Sequence, residues 1–434
     1  MVGGVISMEG MLFRFTVIAS TSMAIIYMNF FREMTDSGAM TPVLLKSLVD
    51  QKLPALGGWA LRTVEALPKN SPYPAAGYRD LYFEADGSYR WYFPRSNAAE
   101  RITVFLQLAR ELKDQRYLDA AIHYADAMLD PIYGLYDGPD PAGKGQVWYW
   151  RDTGLYMTNY TMRVPPAMLE LFDATGDQRY YDAALLAGEA LLRAQVANGT
   201  LLEGFRPQHE VPCFESFDFD ANPDCCTNYK INSRIGYATY AFATLYSRTG
   251  RSEYAVALEK LSYALSRYQN PDGSIPENLA LAGYKPITNT VKNHFQSYIL
   301  NGAAAALKVL PDVPHLAEVI RKLADYTVQT IRCSWGWPYG SVNNFCSEEG
   351  SIWRSSTADI SSGLSLFAEI SGDSTYRQLS ARLLLNTLLT AIDRPDQPDF
   401  DGALPIWGAG DVPIALGGHF HFFTLLGLLQ FQYE

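Results

Sequence analysis

One short segment recurs along this chain, and its recurrence limits the possible folds more than any other feature. Leu171–Leu192 reads LFDATGDQRYYDAALLAGEALL: one helix ends, Gly176-Asp177 breaks it, and Tyr180 opens a second helix rich in Ala and Leu. The pattern returns at Leu108–Leu129 with Tyr117, at Leu245–Leu265 with Tyr254 and at Phe367–Leu389 with Tyr376, while Leu307–Val328 carries His315 in the tyrosine's place. The copies lie roughly 60–75 residues apart, too far for a solenoid of single stacked hairpins. Each period therefore holds two helices and a long loop, and the loop always follows the second helix.

A helical hairpin of this kind leaves an apolar face uncovered, so the hairpins must pack side by side. A closed ring of inner and outer helices satisfies all of them, and puts every short turn at one end and every long loop at the other. The expected fold is all-α, an (α/α)6 or (α/α)7 toroid with long loops on one face, where function is expected to gather. The expected inner helices are Ser96–Lys113, Asp152–Ala174 (kinked at Pro165-Pro166), Cys225–Ser247, Val291–Leu310, Ser355–Ile370 and His419–Phe431. The outer partners are Tyr117–Leu129, Arg179–Val196, Ser252–Tyr268, Val313–Arg332 and Thr375–Thr390. That makes six hairpins, or seven if Thr41–Leu67 forms a pair.

Composition narrows the partners. The 434 residues carry a net charge of −11 without a basic stripe or zinc-finger spacing, so nucleic acid is not an expected partner. Phe15–Phe31, FTVIASTSMAIIYMNFF, lies between Arg14 and Arg32 and reads as a secretory signal or signal anchor; the alternative is a buried N-terminal helix. The expected division is residues 1–40 as targeting segment and linker and 41–434 as one catalytic domain, secreted, periplasmic or membrane-anchored. Cysteines 213, 225, 226, 333 and 346 fall in loops or at helix starts of the loop face, open to a bridge or a thiolate metal site. Of two glycosylation sequons, Asn159-Tyr160-Thr161 falls within a helix, leaving Asn198-Gly199-Thr200.

Hairpins of this length, with DG-x-x-P loops (Asp272 to Pro276, Asp401 to Pro405) and W-x-W loops (Trp148 to Trp150, Trp335 to Trp337), resemble the helical toroids of carbohydrate-active enzymes, many of them glycoside hydrolases and polysaccharide lyases. The resemblance covers residues 41–434 and is architectural, so it implies a fold and a broad chemistry rather than a reaction. Other toroid users lack their motifs here: there is no Cys-His-Gly metal motif of a lanthionine cyclase, and Asp218-Phe219-Asp220 is too sparse for a terpene cyclase. Cys225-Cys226 is similar to the pair of thiolate-zinc arabinofuranosidases, but Thr227-Asn228 stands where those enzymes continue Pro-Pro-Asn.

Within the toroid resemblance, Lys292–Tyr298 (KNHFQSY) is similar to the Asn-Asn-His-x-x-Trp element of helical-barrel alginate lyases. The similarity implies that Asn293 neutralises a uronate carboxylate, helped by Arg354 or Arg234. His294 or His209 would take the C5 proton, and Tyr339 or Tyr298 would protonate the leaving oxygen. The pattern departs where Ser361 and Ser362 replace the tyrosine of the next inner helix. Independently of the resemblance, a neutral imidazole suits proton abstraction near neutral pH. The structural alternative for His294 is a helix-start histidine bonded to a loop carbonyl. Trp150, Trp335, Trp337 and Trp353 offer faces for sugar C–H surfaces, with Asn228, Lys230, Arg234 and Glu215 for hydroxyls or carboxylates; the same groups could simply pack and pair the loops.

The rival chemistry is hydrolysis by two carboxyl groups about 5 Å apart for retention or about 6.5–9.5 Å for inversion. Glu203, Glu215, Asp218, Glu277, Glu348, Glu349, Asp152 and Asp359 are eligible, although Asp152 and Asp359 also read as helix N-terminal residues favoured by the dipole. No HxH or HExxH occurs on a helix, and neither metal nor cofactor is expected. The expected activity is cleavage of a polysaccharide, favoured as β-elimination on a uronic-acid glycan, with hydrolysis by two loop carboxylates as the alternative and a non-catalytic glycan-binding role as the third reading.

Overall fold

The computed structural model describes residues 42–62, 64, 80–83, 89–92, 98–129, 135, 144–150, 155–202, 204–205, 231–232, 236–276, 278–279, 291, 293–330, 354–388, 425 and 427–429. The chain divides into a large unit, Val49–Gln432, and a small one, Met1–Leu48 with Tyr433–Glu434. Phe15–Phe31 and all five cysteines lie outside the described residues. No helix among the described residues is long and apolar enough to cross a membrane.

In chain order the helices are α1 (Pro42–Arg62), α2 (Ala98–Leu112), α3 (Gln115–Leu129), the short α4 (Thr158–Thr161), α5 (Val164–Thr175), α6 (Gln178–Ala194), α7 (Ala238–Thr249), α8 (Ser252–Tyr268), α9 (Asn293–Val309), α10 (Leu316–Thr330), α11 (Arg354–Ser371) and α12 (Ser374–Leu388). Hairpins pair α2 with α3, α5 with α6, α7 with α8, α9 with α10 and α11 with α12. The inner helices pack in sequence: α2 on α5, α5 on α7, α7 on α9, α9 on α11. Helical residues at 425 and 427–429 take the next inner position, with Gly427 against the backbone of Ala358. Counting α1 as an outer helix gives six inner and six outer positions among the described residues. Among the described residues Thr41–Leu67 supplies one helix, α1, in keeping with six hairpins rather than seven.

The short turns follow the expected chemistry. Gly176, Gly250 and Gly372 adopt φ of 72°, 68° and 73°, and their N–H groups close the preceding helices on Phe172, Tyr246 and Ala368. This left-handed stop suits glycine, which has no Cβ to clash. Asp177 then caps α6 by accepting from the Arg179 N–H.

The repeated tyrosine reaches back to the preceding outer helix. Tyr180 donates to Asp126 of α3 at 3.1 Å and Tyr376 to Asp325 of α10 at 2.7 Å. Tyr117 lies against Gly57 of α1 and Tyr254 against Gly188 of α6, positions where any side chain would strike the phenol. His315 meets Tyr263 of α8 edge-on at 5.6 Å. The motif that reveals the repeat is therefore the contact that spaces the outer ring. A second repeated joint follows α6 and α8, where Gln195 and Gln269 each donate to a turn carbonyl (Gly199, Gly273) and to the next outer helix (Ala257, Val319). In those turns Asn198 binds Thr200 as Asp272 binds Ser274, so the sequon Asn198 is held in a structural turn.

The fold is all-α as expected, and the loop segments add short strands. Strands β1 (Asp80–Phe83) and β2 (Tyr89–Tyr92) pair antiparallel, β3 (Trp148–Trp150), β4 (Leu155–Met157) and β5 (Gly204–Phe205) form a three-stranded sheet, and β6 (Ile231–Asn232) joins β7 (Asn278–Leu279). Two inner helices consequently start late. The expected helix from Asp152 is strand β4, the single turn α4, and then α5, with Pro165 and Pro166 inside its first turn, where a missing N–H costs nothing, rather than at a mid-helix kink. The helix expected from Cys225 begins at Ala238, with Tyr237 as its N-cap.

Candidate functional site

Five inner positions each send polar side chains to the axis of the ring, close to the helix N-termini. Glu100 comes from α2, Arg163 from the turn before α5, Tyr237 from the start of α7, Ser297, Tyr298 and Asn301 from α9, and Asp359 from α11. Glu100, Arg163 and Asp359 are only 4%, 6% and 3% exposed, so this is an ionic cluster inside the protein. Arg163 Nη1 contacts Glu100 Oε1 at 3.0 Å, and its guanidinium lies over the rings of Tyr237 and Tyr298 at 4.7 and 5.0 Å. Asn301 Nδ2 donates to Asp359 Oδ1 at 2.7 Å, and Ser297 also hydrogen-bonds that carboxyl group.

Two carboxyl groups thus share the field of one arginine. Burial pushes the Glu100 carboxyl above its ordinary range, and Arg163 opposes that without cancelling it. Burial raises Asp359 likewise, against Arg163, Ser297 and Asn301. Burial also raises Tyr237 well above a free phenol, and Tyr240 to about 12, so both hydroxyls stay protonated. Glu100 Oε2, Asp359 Oδ2 and Asn301 Oδ1 have no hydrogen-bond partner among the described residues. Buried polar atoms left in this state normally meet water or a ligand.

A cavity of about 350 Å³ adjoins the cluster, between α2, α5 and α7. Its wall is a set of helical stripes: Glu100, Thr103, Gln107 and Arg110 on α2; Arg163, Pro166, Glu170 and Asp173 along α5; Tyr237, Tyr240, Thr244 and Arg248 along α7. Spacings of three and four residues keep each set on one helix face.

The expected site residues divide sharply. Tyr298 is brought into the cluster, its half-buried ring beside Phe295 at 6.4 Å and Arg163. Asn293 and His294 open α9 and Arg354 opens α11, while Trp150 stands in β3 opposite Leu155; the side chains of these four lie outside the described residues. His209, Glu215, Asn228, Lys230, Arg234, Trp335, Trp337, Tyr339 and Trp353 also lie outside them. The late start of α7 removes the expected placing of Asn228, Lys230 and Arg234 in its first turns. Asp359 is corrected in role: α11 begins at Arg354, so Asp359 lies beyond the first turn, buried at the axis and not serving the helix dipole.

Glu100, Arg163, Ser297 and Asn301 had not been singled out. The signal was available for two of them. Glu100-Arg101 interrupts an inner helix where the repeat demands apolar residues, and Arg163 directly precedes the Val-Pro-Pro start of α5. Among the described residues no group of three or more His, Cys, Asp and Glu is placed to hold a metal ion.

No family model matches the sequence, and no curated protein is similar to it in sequence. Solved structures, in contrast, match its fold over nearly the whole length. The cellobiose 2-epimerase of Bacillus thermoamylovorans superposes with a TM-score of 0.68 at 12% identity, over 89% of this chain and 98% of that one. The chain is an (α/α)6 toroid. An unsaturated glucuronyl hydrolase specific for heparin gives 0.65 at 13% identity (89% and 97% of the two chains), and a polysaccharide lyase 0.59 at 14% (89% and 96%). All three are carbohydrate-active enzymes of this architecture. At such identities the likeness concerns the fold, and the differing reactions of the three show how little the toroid alone fixes.

Proposed function

We propose that this protein is a carbohydrate-active enzyme that hydrolyses glycosidic bonds, with Glu100 and Asp359 as its carboxyl pair. The observation that carries this reading is the pairing itself: two buried carboxyl groups from different inner helices around one arginine, at the axis of a fold whose structural neighbours process saccharides. Their environments separate their roles. Glu100 touches Arg163 directly and is the group better held as a carboxylate, suited to take a proton from water. Asp359, bonded to neutral Ser297 and Asn301, is the better reservoir of a proton for the leaving oxygen. Water attacks the anomeric carbon as Glu100 accepts its proton, the glycosidic C–O bond breaks, and the Asp359 proton passes to the departing oxygen. Tyr237 and Tyr298 hold the Arg163 guanidinium between them and fix the field both carboxyl groups feel.

β-Elimination on a uronic-acid glycan is the second reading. It is favoured by Tyr298 beside Arg163 on the helix that Asn293 and His294 open. Against it, Arg163 is already engaged by Glu100 and offers a uronate no uncommitted charge. Incubation with neutral and uronate glycans separates the two. Hydrolysis yields reducing ends alone, whereas elimination also yields the ultraviolet absorbance of a new C4–C5 double bond. An extracytoplasmic location, secreted or anchored, belongs to the same proposal and rests on Phe15–Phe31.

A further inference from the structure

The cavity between α2, α5 and α7 extends away from the loop-bearing face. It begins at Glu100 and Arg163, near the N-termini of the inner helices, and runs past Glu170 to Arg110, Asp173 and Arg248 in their last turns. Those last turns lie at the short-turn end. The rim side chains there are open to solvent: Arg110 is 55% exposed, Glu170 25%, Asp173 47% and Arg248 36%. They form two ion pairs, Arg110 with Glu170 at 2.6 Å and Arg248 with Asp173.

The wall between the ends is polar and incompletely paired. Glu100 Oε2 and Gln107 Oε1 are buried acceptors without a hydrogen-bond partner among the described residues, while Thr244 lies beside the Tyr240 hydroxyl. Glu100 is 4% exposed and lines the cavity. The formal charges of the lining cancel: Glu100, Glu170 and Asp173 against Arg163, Arg110 and Arg248. A neutral, donor-supplying occupant is called for, and dry burial of these acceptors would cost about 1–3 kcal/mol apiece. Water fits both the chemistry and the space, since a liquid water takes about 30 Å³.

We propose that this cavity is a hydrated shaft that carries water and protons between the short-turn face and Glu100. This rests on the reading of Glu100 as the residue that accepts a proton from the attacking water. A glycan seated on the loop-bearing face closes the route from that side. The shaft then supplies the water consumed at each turnover, and the proton left on Glu100 returns to solvent along the same file. Asp359 does not line the shaft; its proton leaves with the departing oxygen and is restored from solvent on the loop-bearing face once the product has gone. Thr103, Gln107, Tyr240 and Thr244 serve this conduit as positioning residues.

The test uses the full-length protein and a small methanethiosulfonate as probe, read by mass at the peptide carrying each introduced cysteine. Thr244→Cys and Thr103→Cys face the shaft, and Ala243→Cys, next to Thr244 but fully buried elsewhere on α7, is the control. An open shaft gives modification of both shaft cysteines at least about 100-fold faster than the control, which reacts only through local opening. Equal rates for all three would overturn the shaft, whether or not the protein cleaves any glycan. With a cleavable glycan in hand, capping Thr103→Cys lowers kcat about tenfold or more with KM unchanged, and reduction of the mixed disulfide restores it. Fast capping with unchanged kcat leaves a hydrated cavity but contradicts its service to Glu100. Absence of cleavage in the parent removes the hydrolytic reading and not the shaft.

Discussion

The inner ring has a tight arc and an open arc. From α7 through α9 and α11 to residues 425–429, neighbours approach backbone to backbone at glycines. A Cβ on Gly302 would lie 2.5 Å from Tyr237 Cα, one on Gly363 2.9 Å from the Asn301 N, and one on Gly427 2.4 Å from the Ala358 carbonyl oxygen. From α2 through α5 to α7 the facing residues are Thr103, Gln107, Pro166, Leu169 and Tyr240, and the space between them is the cavity. Neither α2 nor α5 contains a glycine. The same hairpin, repeated, thus makes a rigid wall on one side and a polar chamber on the other, and the ionic cluster sits where they meet. Asp359 belongs to the tight arc, Glu100 to the open one, and Arg163 ties them electrostatically.

The comparison is broken most severely at that tie. Arg163→Met leaves two buried carboxyl groups without their cation and is expected to cost about 3–5 kcal/mol, measured by urea unfolding. A loss below about 1 kcal/mol would mean the cluster is more hydrated than its burial implies. Next come the glycines. Gly302→Ala presses a methyl on the Tyr237 backbone and is expected to cost about 1–3 kcal/mol, while Thr244→Val, on the cavity wall, is expected to stay within about 0.5 kcal/mol. Equal costs would erase the distinction between the arcs.

The pH dependence sharpens it further. Both carboxyl values are raised on folding from ordinary values of 4.5 for Glu100 and 3.8 for Asp359. Their contribution to stability is therefore whole below those values and is lost as pH rises through the raised ones. Asp359→Asn should accordingly gain unfolding free energy relative to the parent as pH climbs above 3.8, by up to about 1.4 kcal/mol per pH unit, read by urea unfolding at each pH. The smallest effects are expected on the outer ring. Tyr376→Phe forfeits the bond to Asp325 and should cost about 0.5–1.5 kcal/mol, whereas Tyr254→Phe removes a buried hydroxyl without a hydrogen-bond partner among the described residues and should be neutral or stabilising.

The toroid was legible because its signals are local and repeated: an aromatic ring at a fixed offset marks each hairpin, with a glycine stop at Gly176, Gly250 and Gly372 and a capping aspartate at Asp114, Asp177 and Asp373. The inner and outer assignment followed from loop length alone. The late starts of α5 and α7 were not legible, because short strand pairing such as Ile231 with Leu279 depends on a partner far along the chain. Tyr298 and Asp359 were both named from the sequence, Asp359 among the carboxyl groups eligible for hydrolysis and, beside that, as a helix-dipole residue. Glu100 and Arg163 were passed over although Glu100-Arg101 breaks an apolar run, because a single charge at a helix start reads by itself as solvated. Only the ring, which turns those faces inward, makes them a pair.

The central claim is that the axial carboxyl pair performs the chemistry. The most direct measurement is release of reducing ends from a panel of neutral and uronate glycans by the parent, Glu100→Gln and Asp359→Asn, with circular dichroism checking the fold of each. Release by the parent without double-bond absorbance is expected, with a fall of about 100- to 10,000-fold in kcat for each variant at unchanged helicity. Release by folded Glu100→Gln and Asp359→Asn at the parental rate would contradict it and assign the cluster to holding the ring together.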